Sequence, residues 1–211
     1  MSQDEIPLTI EEIPAPVLYR SLSRVDNFTT LAGANFLKRP DENVQDVHNR
    51  VKNLAQRRLI HRRIADDAKP TSPAYFGIDD LAVAETLFAL YDGGVRDAVI
   101  AEAASRACYA WDETCNPQPA FIPDGITPIV AAMVGAARGE SWACRVSVLC
   151  DERTNERRLF AGVFNTDFPP VDAGQFLPPS YQPRMHHHLN ISVALLRFAK
   201  AIRAATERST H

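Results

Sequence analysis

The chain has 211 residues, 45% of them hydrophobic, and a net charge of −3. That composition excludes wholesale disorder and suits one large domain or two small ones. The charge excludes a uniformly basic nucleic-acid-coating protein but allows a local basic patch.

Residues 1–16, with Pro7, Pro14 and Pro16, read as an N-terminal tail. Their acidic start has no apolar core behind it, so no secretory signal is expected. A short helix is predicted over Val17–Val25. Asp26-Asn27 is predicted to cap a helix carrying Phe28, Leu31, Ala32 and Phe36. Arg39 to Asn43 reads as a turn. Val44, Val47, Val51 and Leu54 then recur at helical spacing, which predicts a helix over 44–58 with one apolar face. The other face carries Gln45, His48, Asn49, Lys52 and Arg57. Leu59–Ile64 and Tyr75–Phe76 are predicted as two short strands around a polar loop, a wing directly after a helix. Asp79 or Asp80 opens a helix striped by Leu81, Ala84, Phe88 and Tyr91 and stopped at Gly93-Gly94; Asp97 caps another running to about Trp111. The prolines and glycine between Asn116 and Gly125 divide a unit over 17–115 from one over 124–211.

In the second half, Thr127-Pro128 starts a helix that Gly139 ends. Trp142–Cys150 and Arg157–Asn165 read as a β-hairpin, Thr166–Pro183 as an extended loop, and Leu189 to about Glu207 as an amphipathic helix. Cys108, Cys115, Cys144 and Cys150 match no zinc or redox spacing and read as buried small hydrophobes. His186-His187-His188 have no Cys, Asp or Glu within six residues and read as polar residues leading into the last helix rather than a metal site. The pair Asp66-Asp67 reads as solvated, and Asp79-Asp80 as acids favoured by a helix start. No phosphate loop, Gly-x-Ser-x-Gly elbow or His-Glu-x-x-His occurs, so nothing argues for catalysis, and neither cofactor nor metal is expected.

Between Lys38 and Lys69 lie nine Lys and Arg residues and five acids, a net of +4 in a chain of −3. Segregated cations suit duplex DNA, where Lys and Arg on phosphates supply affinity and a helix in the major groove reads sequence. On this reading Gln45, His48, Asn49 and Lys52 face base edges, while Arg50, Arg57, Arg58, Arg62, Arg63 and Lys69 hold phosphates.

The order of elements over residues 28–108 resembles the MerR-type winged-helix DNA-binding domain. Leu31–Leu37 and Val44–Arg58 stand as its helix–turn–helix, and Leu59-Ile60 near its Gly-Leu before the wing. Tyr75-Phe76-Gly77-Ile78-Asp79-Asp80-Leu81 resembles its Tyr-x-x-x-Asp-Leu entry into the third helix. The family's glycine before the wing leucine is Arg58 here, and its arginine two before the wing tyrosine is Pro73.

The expected fold is therefore α+β: an N-terminal winged helix–turn–helix domain, then a small α/β domain with a β-hairpin and a C-terminal helix. The expected function is a sequence-specific transcriptional regulator binding double-stranded DNA, a bacterial cytoplasmic, nucleoid-associated protein that is not an enzyme. A homodimer would read two half-sites, and Ile191, Leu195, Phe198 and Ile202 are candidates for its interface. Their competing use is intrachain packing against the Trp142–Cys150/Arg157–Asn165 hairpin. The alternative function is a sensor or interaction module whose C-terminal half binds a small molecule or protein.

Overall fold

A computed structural model of the protein describes residues 28–63, 74–170 and 172–209. The tail, the helix expected over Val17–Val25, Asp26-Asn27, Asp66-Asp67 and Lys69 lie outside the described residues. The fold is mixed α+β with two small antiparallel sheets.

Strand β1 is Phe28–Thr29 and helix α1 is Thr30–Leu37. Phe28, expected inside the helix, is instead in the strand, because Thr29 takes the cap: its Oγ1 accepts from Ala32 N at 3.2 Å. Helix α2 spans Val44–Gln56, with Asn43 Oδ1 accepting from Gln45 N at 2.8 Å. Val47, Val51 and Leu54 are its buried stripe.

The end of α2 is a Schellman turn. Leu59 N donates to Leu54 O and Arg58 N to Ala55 O, with Arg58 itself at φ +58°. A chain at that angle favours glycine, and the resemblance sets the family's glycine at this position. The next two helices that stop in this way use Gly94 at φ +89° and Gly139 at φ +82°.

Strand β2, Tyr75–Phe76, pairs with β1 in the register Phe28↔Phe76 and Thr29↔Tyr75. On its other side Tyr75 exchanges both backbone hydrogen bonds with Arg63. Of the strand expected over Leu59–Ile64, residues 59–63 are described, and among them that single bridge is the strand pairing present. Leu59 and Ile60 are buried in the core instead, with Ser105 Oγ donating to Leu59 O at 2.6 Å.

Helix α3, Ile78–Asp92, is buried nearly all round and forms the centre of the molecule. Gly33 of α1 permits close approach, since a Cβ there would stand 2.7 Å from Leu81 Cδ2. Helix α4 is Ala98–Tyr109, capped by Asp97, whose carboxylate accepts from Val99 N and Ile100 N. Helix α5 is Pro128–Ala137.

The second sheet has three strands in the order β4-β3-β5: β3 is Trp142–Asp151, β4 is Arg157–Asn165 and β5 is Tyr181–Asn190. The expected hairpin is present. The strand β5 replaces the end of the expected loop, the histidine lead-in and the start of the expected last helix. The cause is tertiary: β3 offers a free edge, and the largely exposed segment 182–188 completes it mainly by backbone pairing. A bulge between Val148 and Leu149 shifts the register, so the alternation of Trp142, Cys144 and Val146 does not continue unbroken.

Helix α6 spans Ser192–Ser209 and packs on α5, α3 and α1. One apolar cluster runs from Leu37 and Val51 through Leu81 and Leu87 to Trp142, Leu195 and Phe198, continuous across the link at 116–125. Ile191, Leu195, Phe198 and Ile202 are at most 3% exposed within it. They fill the chain's own core and offer a partner no surface, so they are not a dimer interface in this fold. Helix α6 packs mainly on other helices, while Ile191 N donates to Trp142 O of the hairpin, whose Trp142, Cys144 and Val163 belong to the same cluster.

Candidate nucleic-acid interface

Helix α2 is held from behind and from both ends. Behind it, three apolar residues enter the core. At its N-terminus, Glu42 binds Arg50 at 2.8 Å and accepts from Arg39 N at 2.9 Å, while Arg39 reaches Asp92 at the end of α3 at 2.5 Å. At its C-terminus, the carboxylate of Asp80 gathers the chain. It accepts from Gly77 N at 2.8 Å, from His61 N at 3.0 Å and from Tyr109 Oη at 2.7 Å.

Asp80 was expected only as an acid favoured by a helix start. It is fully buried and joins α3, α4 and the segment after α2. Burial raises its pKa, partly offset by those hydrogen bonds, and burial also pushes the Tyr109 phenol up. Asp79 and Arg63 pair at 3.2 Å beside it.

With α2 fixed, its opposite arc faces outward. Gln45, Asn49, Lys52 and Gln56 are exposed at i, i+4, i+7 and i+11, so they stand in one row. Gln45 Nε2 donates to Asn49 Oδ1 at 3.4 Å. Lys52 makes no ion pair with any described residue. His48 is half-buried at the edge of this arc, its Nδ1 without a partner.

A cavity flanks each side of the arc. Toward β1 and β2 lies one of about 290 Å³, lined by Thr30, His48, Lys52, Gln56, Arg62 and Phe76. Toward α3 lies one of about 400 Å³, lined by Arg50, Asn53, Arg57, Phe88, Tyr91 and Arg96. Arg57 donates to Tyr91 Oη at 3.0 Å, a neutral partner that leaves its charge uncompensated, and Arg96 is exposed with no partner among the described residues.

The sequence-predicted cations therefore divide. Lys52, Arg57, Arg58 and Arg62 are exposed around the arc. Arg50 serves the fold, bound to Glu42 and Asp92 and lying 3.9 Å from the centroid of Phe88. Arg63 is tied to Asp79 and Asp80, at 3.2 and 3.7 Å. Sequence reasoning missed Arg96, Asn53 and Gln56. Gln56 was legible, because it continues the spacing from Asn49 and Lys52; Arg96 was not, because only the tertiary fold brings the turn after α3 beside α2.

Among the described residues, the C-terminal half offers no comparable cluster. Strand geometry sends His186 and His188 to one face and His187 to the other; His186 Nδ1 lies 2.9 Å from Ser147 Oγ, and His188 meets the Phe164 ring edge-on. Among the described residues no group of three or more His, Cys, Asp or Glu could hold a metal ion. All four cysteines are buried and free, and burial lifts the Cys144 thiol to about 12. No helix of the described residues is long and apolar enough to cross a membrane. Comparison of the chain with protein-family models, with curated proteins and with solved structures gives no match in any of the three.

Proposed function

We propose that residues 28–109 form a winged helix–turn–helix unit that binds double-stranded DNA, and that the protein is a sequence-specific transcriptional regulator rather than an enzyme. One observation carries this reading: α2 turns an exposed polar row outward, with cations on both flanks. An α-helix with its side chains is about 10–12 Å across, which matches the major groove of about 12 Å. Lys52 and Arg62 on one flank and Arg57 and Arg96 on the other then face the two phosphate backbones. The bridge of Arg63 with Tyr75 and the left-handed Arg58 support this reading.

A homodimer reading two half-sites is part of this proposal. Its two-fold contact lies outside the buried stripe of α6. The exposed side of α4, with Val99 54% accessible, is where we place it.

Fluorescence polarisation with the duplex upstream of the gene, at several salt concentrations, tests the reading. Affinity should fall steeply with salt, and Lys52→Ala should reduce the slope of log K against log salt by about one. Salt-independent binding, or none to any duplex, would sink it.

A further inference from the structure

The outward arc of α2 is built mainly of carboxamides, with the exposed carboxylate of Asp46 at its edge beside Asn53. Gln45, Asn49, Asn53 and Gln56 are all exposed on it, and Lys52 stands among them. Neither Arg50 nor the C-cap residue Arg57 stands in that row. Arg50 is held over Phe88 by Glu42 and Asp92, and Arg57 is bonded to Tyr91 on α3.

This division has a chemical consequence in a major groove. Arginine or lysine on the O6 and N7 of guanine is the commonest specific contact, whereas Asn or Gln pairs with the N6 and N7 of adenine. Tethering both arginines to the scaffold takes them out of the row, and Lys52, the cation that stays in it, is the residue assigned above to a phosphate. The bond from Gln45 Nε2 to Asn49 Oδ1 also sets complementary atoms side by side. Asn49 Nδ2 is left to donate to N7, and Gln45 Oε1 to accept from the N6 amino group.

We infer that α2 selects A·T pairs through the major groove, with Asn49 at the centre of the contact. This rests on the DNA-binding reading above and adds the class of sequence that the site takes.

The test is selection by the full-length protein from a pool of randomised duplexes, followed by affinity measurements on the consensus. Enrichment of adenine at the protected positions is expected. Replacing those adenines by 7-deazaadenine removes the N7 acceptor and leaves the minor groove unaltered, so affinity should drop about tenfold. Asn49→Arg, at an exposed position that leaves the fold intact, should change one consensus position from adenine to guanine. A guanine-rich consensus, or 7-deazaadenine duplexes bound as tightly as the parent, overturns the A·T inference while DNA binding stands. A pool that yields no enriched duplex overturns the DNA reading, and this inference with it.

Discussion

Eleven of the fifteen residues of α3 are buried, against three of the thirteen of α2, although the two helices meet along Phe88 and Tyr91. Helix α3 is apolar on nearly every side and carries two buried carboxylates, Asp80 and Glu85, each compensated by groups from other elements. Helix α2 is apolar on one stripe, and its remaining surface is mostly neutral amide and cation, with one exposed acid, Asp46, in the first turn. Scaffold and presenting surface are thus separate helices. A side chain that holds α2 in place can be changed only with damage to the fold, while its outward row is free to match a ligand.

The largest expected effect breaks the scaffold. Leu87 is fully buried in α3, so Leu87→Ala should cost about 3–4 kcal/mol by denaturant unfolding. Asn49→Ala, on the arc, should stay within about 0.5 kcal/mol. Comparable losses at the two sites would erase the distinction between the helices.

The next effect concerns the charge inside α3. Glu85 Oε1 accepts from Arg197 of α6, which also reaches Leu37 O, and Glu85 Oε2 has no partner. Arg197→Ala leaves the carboxylate buried alone. Because the arginine side chain is 36% exposed, the expected loss is about 2–3 kcal/mol, below that of a fully buried pair. Changing both residues to Leu should recover most of it.

The same carboxyl has a pH signature. Burial lifts Glu85 above its ordinary 4.5 against the pull of Arg197. An acid with a raised native pKa holds its proton more firmly in the folded state, so stability falls as pH rises through the window above 4.5. Between neutrality and that value, acidification should favour the wild type over Glu85→Gln in paired unfolding curves. A pH-independent difference would mean that the carboxyl titrates alike in both states.

The smallest effect sharpens the end of α2. Arg58→Gly relieves a side chain held at φ +58° and should stabilise the fold by about 0.5–1 kcal/mol, read as a higher denaturation midpoint. Should DNA affinity fall at the same time, the exposed Arg58 guanidinium contacts the ligand; unchanged affinity makes its cost one of backbone geometry alone.

Local chemistry made the helices legible. Asn43, Asp97 and Thr127 precede three of them, and Gly94 and Gly139 stop two, because caps and left-handed turns are decided by a few adjacent residues. The stripe of Val47, Val51 and Leu54 likewise identified the buried side of α2, and so its exposed amides. Strand β5 was hidden, because its residues are mostly exposed and its main reason to extend is the free edge of β3, distant in sequence. The role of α6 was ambiguous for a related reason. An amphipathic stripe states that a face is covered but not by what, and only the packing of α6 on α5, α3 and α1 turned Ile191, Leu195, Phe198 and Ile202 inward. Charge was the least readable of all. Nine cations between 38 and 69 look alike in the sequence, yet Arg50 and Arg63 are bound by acids brought from α3, while Lys52 stays open. Composition sets how much charge a segment has; the long-range neighbours of each side chain decide how much of it a partner can reach.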